Sequence, residues 1–240
     1  NEYDVTNGRS GGGTISTVTK SGTNQLSGSA FTFMRNDQLS SEYDLRGSKR
    51  TQDFSTYQYG FSLGGPIVKD KAHFFVAWDH QKDSRPLNIA NIQSAADEAA
   101  YKVTQATLDK FLEIGRAKYG LGAGPQFGSF DKTKSTDAVF ARIDWQLDAK
   151  NLLTIRNNFV TEMDNQSEGD NAGINLYEVY INRKKTDNSL MASLRTSISP
   201  RLTNEVKIQH FYEDVQVLPN TELPGESIPR AIVENVESTS

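Results

Sequence analysis

Three histidines, one acidic cluster and a set of arginines hold most of the chemistry that this 240-residue chain could perform. His73, His80 and His210 lie far apart, and none falls in HExxH or another zinc-ligand spacing, so they read as surface or wall residues. The chain has no cysteine, which excludes disulfides, thiolate metal sites and thiol nucleophiles. It has no GxSxG elbow, and Lys20 and Ser21 follow Val18 and Thr19 with no glycine placed to cradle a phosphate. Residues 162–171, EMDNQSEGDN, gather Glu162, Asp164, Glu168 and Asp170 beside a turn glycine. Their oxygens are a candidate Ca²⁺ set, but the spacing departs from the EF-hand and a solvated loop is the preferred reading. The turn-rich stretch 120–135 lacks the glycine spacing of a dinucleotide fingerprint. The chain is therefore read as neither an enzyme nor a cofactor binder.

The arginines point elsewhere. Arg142, Arg156 and Arg195 each interrupt a segment of alternating residues, and Asp144 lies two residues beyond the first. In 56–67, Tyr57, Tyr59, Phe61, Leu63 and Ile67 fall on one face, against Gln58, Gly60, Ser62 and Gly64 on the other. In 138–147, Val139, Ala141, Ile143, Trp145 and Leu147 oppose Arg142, Asp144 and Gln146. Such a period of two marks strands with one apolar and one polar face. Segments 26–35, 72–81, 153–159, 190–198 and 206–212 bring the expected total to about seven, each about as long as a tilted spanning strand.

Composition does not distinguish a soluble sheet from a membrane one. The chain is 36% hydrophobic with net charge −4, and its mean hydropathy of −0.58 suits a soluble domain. A barrel strand needs apolar residues on only one face, so it leaves hydropathy low. The 30 acidic against 26 basic residues give no basic field for nucleic acid. The connections are more informative, because they alternate between short (65–71, 148–151, 199–203) and long (37–55, 82–136, 162–187). Outer-membrane barrels have this asymmetry, with short turns at one rim and long loops at the other. Tyr57, Tyr59, Trp78, Trp145 and Tyr212 near strand ends suit an interfacial aromatic girdle. One long loop should hold a helix over 94–118, with Ser94 as N-cap, Asp97 at N3 and Gly120 as its stop.

Two segments carry a family resemblance. GGGTISTVTKSGTN leads into GSAFTFMRND over residues 11–37, and LGGPIVKDKAHFFVAWDHQ follows, read as two strands joined at a Gly-Pro turn. Together they resemble the plug-to-barrel junction of TonB-dependent outer-membrane receptors, in particular the Oar-like branch. FARIDWQLDAKNLLTIRNNF and ISPRLTNEVKIQHFYED extend the likeness as generic barrel hairpins. The resemblance implies an all-β fold in which residues 1–23 end a plug domain and its linker. Residues 24–240 would then form the N-terminal part of a transmembrane up-and-down barrel of about 22 strands, with a helix-containing extracellular loop at about 84–135. Gly11, Gly12, Gly13, Lys20 and Gly22 would form the plug-to-barrel junction, and Arg142, Asp144, Arg156 and Arg195 would face the lumen. Arg9 and Lys20 would then seek acids there, with Asp144 a candidate.

Implied partners are the rest of the same receptor polypeptide, outer-membrane lipid, the TonB–ExbB–ExbD complex, a surface lipoprotein and an extracellular ligand that is not legible here. The implied location is the bacterial outer membrane. The chain starts at Asn1 without a leader and is expected to be an internal piece of a longer protein. Two alternatives stay open: a fragment self-assembled through its sheet edges into an oligomer or filament, and a soluble ligand-binding β-sandwich.

Overall fold

The computed structural model of the chain describes residues 19–39, 43–45, 48–50, 53–168 and 174–219. Among the described residues nine strands form: β1 (Ser27–Asn36), β2 (Tyr43–Leu45), β3 (Ser48–Arg50), β4 (Ser55–Val68), β5 (Ala72–Ile89), β6 (Gly128–Gln146), β7 (Asn151–Glu168), β8 (Ile181–Ser199) and β9 (Leu202–Pro219). Seven of them make one antiparallel sheet in the order β1-β4-β5-β6-β7-β8-β9, and β2 and β3 make a separate hairpin between β1 and β4. Each strand of the large sheet pairs with its sequence neighbour in that sheet, which is the up-and-down topology expected. The single seven-stranded sheet does not suit a soluble sandwich, since among the described residues the only other sheet is the two-stranded β2–β3 pair.

Pairing turns the period-two pattern into rows across the sheet. On one face Leu63, Val76, Ala141, Asn157, Leu190 and His210 lie directly opposite one another in sequence across β4 to β9. The next row toward residue 72 holds Phe74, Ile143, Ile155, Ala192 and Ile208, and the one beyond it Trp145, Leu153, Leu194 and Val206. On the other side of the first row lie Phe61, Trp78, Val139, Phe159, Asn188 and Tyr212. Four such rows cover roughly 27 Å along the strands, or about 20 Å along a barrel axis at ~40° tilt, most of the ~25 Å apolar band of outer-membrane barrels. The face stays open to its surroundings: Phe61 is 46% exposed, Ile143 40% and Trp145 50%.

Polarity returns in the following row, Tyr59, His80, Asp137, Thr161, Thr186 and Asp214. There the Tyr59 ring meets Trp78 edge-on at 5.5 Å, and Asp137 Oδ1 accepts from Trp78 Nε1 at 3.1 Å and lies 2.9 Å from His80 Nδ1. Aromatic side chains with polar tips belong at such a boundary.

The hairpin connections at residues 69–71, 147–150 and 200–201 share one end of the sheet, and the connections at 37–54, 90–127 and 169–180 share the other. Two details differ from the sequence reading. Gly64, Gly65 and Pro66 lie inside β4, opposite Phe75, Phe74 and His73, and the chain reverses at 69–71, with Asp70 left-handed (φ 61°) and Lys71 N–H donating to Val68 O. Pro66 is accommodated at a register shift, where the ladder does not need its missing N–H. The strands also run further toward the loop end, so the longest connection is 90–127 rather than 84–135. Beyond the apolar band polar residues fall on both faces, as Lys82 and Asp83 do on β5 and Ser135 and Lys134 on β6, so hydrophobic alternation no longer marks the strand.

The helix expected over 94–118 is realised as α1 (Ala95–Tyr101) and α2 (Gln105–Lys118). Ser94 caps α1 by accepting from Asp97 N–H and donating to Asp97 Oδ2, a reciprocal cap. Lys102 then turns left-handed (φ 55°), Val103 is non-helical and Thr104 caps α2 by accepting from Thr107 N–H. A β-branched pair and a second capping hydroxyl in mid-run break the helix. Gly120 (φ 72°) ends α2 as expected, with Leu121 N–H reaching back to Gly115 O. No helix among the described residues is long and apolar enough to cross a membrane, which says nothing about crossing by strands.

Candidate functional site

The sheet's second face is polar. Arg142 lies opposite Arg156, Asp144 opposite Thr154, and Arg195 between Leu152 and Glu205, so Arg142, Asp144, Arg156 and Arg195 share this face with Ser62. Like charges directly opposed repel, and the strand arrangement answers this with a fork. Arg142 Nε donates to Asp144 Oδ2 and Nη2 to Oδ1, both at 2.8 Å, and Thr154 Oγ1 adds a third bond to Oδ1 at 2.8 Å. Both side chains are largely shielded, 21% and 14% exposed, so the bidentate pairing matters more than it would in open water. Further along, Glu205 accepts from Ser193 Oγ at 2.8 Å and approaches Lys207 Nζ at 3.4 Å, beside Arg195.

Residues 19–24 dock on this polar face. The remaining Arg142 nitrogen, Nη1, donates to Thr19 O at 3.2 Å and to Thr19 Oγ1 at 2.8 Å. Gly22 crosses the backbone of β4 and β5: a Cβ there would collide with Phe74 O, and would stand 2.8 Å from Gly65 O. Only glycine permits this approach. Gly64 lies underneath, its own ideal Cβ position 3.5 Å from Gly22 Cα, which gives the Gly-Gly pair of β4 a packing role in place of the expected turn. Asn24 then ties the segment to the hairpin end: its Oδ1 accepts from Asp70 N–H at 2.8 Å and lies 2.8 Å from His73 Nε2, while its Nδ2 donates to Asp70 Oδ1. On β1, the Phe31 ring lies over Gly60 of β4, so the aromatics of that strand sit on the polar face.

Of the sequence-derived junction residues, Gly22 is thus part of a docked segment. Lys20 is exposed and makes no ion pair among the described residues, because Asp144 is taken by Arg142 and the wall contact comes from Thr19. Gly11, Gly12, Gly13 and Arg9 lie outside the described residues. Of the acidic set, Glu162 pairs with Lys134 Nζ at 3.1 Å and Asp164 lies opposite Lys134 on the ladder, while the Glu168 side chain and Asp170 lie outside what the structure describes. No group of three or more His, Cys, Asp or Glu among the described residues suits a metal ion. A Glu162 that faces a lysine fits Ca²⁺ poorly.

At the loop end a second constellation went unread in the sequence. Glu178 Oε1 accepts from Gly122 N–H at 2.9 Å and from Gln126 Nε2 at 2.8 Å, Gln126 O accepts from Tyr177 N–H at 3.0 Å, and the Phe130 and Tyr177 rings stack at 4.1 Å. Gln126 is 3% exposed and every one of these bonds joins the 90–127 connection, or the start of β6, to residues 176–180. Neither this clasp nor the Asn24 node has a local signature, since their partners are 52 and 46 positions apart. A glycine-threonine-asparagine run before the first strand is the only available hint of the latter.

A profile of the outer membrane beta barrel domain family matches residues 18–111, from the docked segment through β5 and into α2. Comparison with curated proteins and with solved structures found no match.

Proposed function

Taking as premise that the chain is part of an outer-membrane β-barrel protein of bacteria, we propose that it is a segment of a TonB-dependent transporter of the Oar-like kind. In this reading the polar face lines the lumen and residues 19–24 are the last part of a plug entering the first strand. The observation that carries it is the docking of that segment on the polar face through Arg142, Gly22 and Asn24. A chain that only needed to begin a barrel strand has no use for a glycine crossing two strands and a buried-side guanidinium holding its backbone. The apolar face toward lipid and the arginines inward also follow from energy, because a lipid-facing arginine costs about 2–4 kcal/mol at the midplane.

The mechanism requires no catalytic residue and no cofactor. An extracellular ligand binds at the loop end, where the Gln126–Glu178 clasp holds two long connections as one surface. TonB, energised by ExbB and ExbD, pulls on the plug from the other side, and the few directed bonds from Thr19 and Asn24 are what must yield near the wall. A surface lipoprotein would cap the loop end, and the remaining strands of the same polypeptide would cover the free edges of β1 and β9, whose unpaired backbone groups lipid cannot satisfy.

The test uses the full receptor in cells, with Lys20→Cys as an exposed reporter beside the docked Thr19. Labelling by an impermeant maleimide should rise when TonB–ExbB–ExbD is active and fall when ExbB and ExbD are deleted. Labelling that is the same in both backgrounds would overturn the energised-plug reading.

A further inference from the structure

The apolar face carries a polar patch in the wrong place for lipid. Of the outward residues in the four rows between the Trp145 row and the Phe61 row, Asn157, Asn188 and His210 are the strongly polar ones, and all three sit on β7 to β9. Asn157 and His210 flank Leu190 in one row, and Asn188 stands diagonal to both in the next. The corresponding positions on β4 to β6 are Leu63, Val76, Ala141, Phe61, Trp78 and Val139, whose indole N–H at Trp78 already has Asp137.

The patch satisfies itself only in part. Asn157 Nδ2 donates to Asn188 Oδ1 at 2.6 Å. That leaves an amide oxygen on Asn157, an amide N–H₂ on Asn188 and both ring nitrogens of His210 without a strong hydrogen-bond partner among the described residues. In hydrocarbon no water can supply one. A strand added beside β9 could offer a side chain to His210 on that edge strand, but not to Asn188 and Asn157, which stand one and two strands further in on β8 and β7.

We infer that the outer wall formed by β7 to β9 is a membrane-embedded contact with a second copy of this barrel, centred on Asn157, Asn188 and His210. The occupant follows from depth and from chemistry. A partner must offer hydrogen-bonding groups at the same depth in the bilayer, and a two-fold axis along the membrane normal brings each residue to the level of its own counterpart. The groups left over include both a donor and an acceptor, so two copies of the patch complement each other, as interhelical amides do in membranes. Ala192, between Ile155 and Ile208 in the adjoining row, lets the two walls approach closely. This inference needs the outer-membrane location alone and does not depend on transport or on TonB.

The experiment exploits the absence of cysteine from these 240 residues. The full protein carrying His210→Cys is oxidised with copper phenanthroline in native outer membranes, alongside Leu63→Cys from the same row on β4. His210→Cys should give a disulfide-linked pair of twice the mass, and Leu63→Cys should stay single. No pair from His210→Cys, equal pairing from both, or an adduct only with a different protein would each overturn the inference. In parallel, the triple variant Asn157→Leu, Asn188→Leu, His210→Leu should keep heat-modifiable barrel migration while its native mass in mild detergent falls by half. A wild-type protein that is already a single copy in the membrane would count against the contact regardless of how the variant folds.

Discussion

Gly22→Ala isolates the docking of residues 19–24 from the stability of the barrel. The added methyl group would overlap Phe74 O and stand 2.8 Å from Gly65 O. Both are backbone atoms of paired strands, and β4 and β5 are held by an unbroken ladder from Ser55↔Ser84 to Pro66↔His73, so neither can retreat. The segment must therefore lift. Overpacking of this kind costs about 1–3 kcal/mol, and since 1.4 kcal/mol is a factor of ten, the undocked fraction should rise roughly 5- to 150-fold. Lifting also lengthens the Arg142 bonds to Thr19, which are charge-assisted and add to the loss. The assay is hydrogen exchange of the intact protein in detergent or nanodiscs, read over peptides covering 19–24 and, as a reference, over the β6–β7 ladder. Exchange should accelerate at 19–24 and stay constant in the ladder. Gly124→Ala, where an added Cβ meets nothing within 4 Å, serves as the control and should change little. Unchanged protection of 19–24 in Gly22→Ala would mean that the close approach does not hold the segment, and the reasoning built on it would fail.

Other consequences can be checked separately. Arg142→Met removes the fork and strands the shielded Asp144 with Thr154 alone, so urea unfolding should show a loss of about 1.5–3 kcal/mol, which Asp144→Asn in the same background should partly restore. Ile143→Arg, on the apolar face, should lower folding stability in lipid by about 2–4 kcal/mol, while Ala138→Arg, on the polar face opposite Asp79, should cost clearly less. Glu178→Ala removes the acceptor shared by Gly122 and Gln126 and should speed limited proteolysis within 121–127 and 174–180 without altering the strand ladder. The Ser94 hydroxyl and the Gln93 N–H hold the Asp97 carboxyl below the usual carboxylate range. Its contribution is therefore complete above the unfolded value and is lost as pH falls through the folded one, so helicity of the 94–118 loop should drop in acid, and Ser94→Ala should move that drop to higher pH.

The amino-acid sequence by itself determined the strands, their number in the main sheet and the sorting of connections by length. Each of these rests on local alternation: Val139, Ala141, Ile143 and Trp145 against Arg142 and Asp144 define faces without reference to any other segment. The cap at Ser94 and the stop at Gly120 were legible for the same reason, since the bonds that make them span no more than six positions. Tertiary structure alone decided what required distant segments to meet. Gly64 and Gly65 look like a turn until Gly22 is seen to cross them. Asp144 was free to pair with Lys20 until the fork with Arg142 claimed it. Strand ends beyond the apolar band were invisible because polar residues such as Lys82 and Asp83 on successive, opposite faces erase the hydrophobic period, whereas the ladder continues to Ile89↔Gly128. The patch of Asn157, Asn188 and His210 depends on register, which places residues more than fifty positions apart at one depth. A one-residue slip would send each of them to the opposite face.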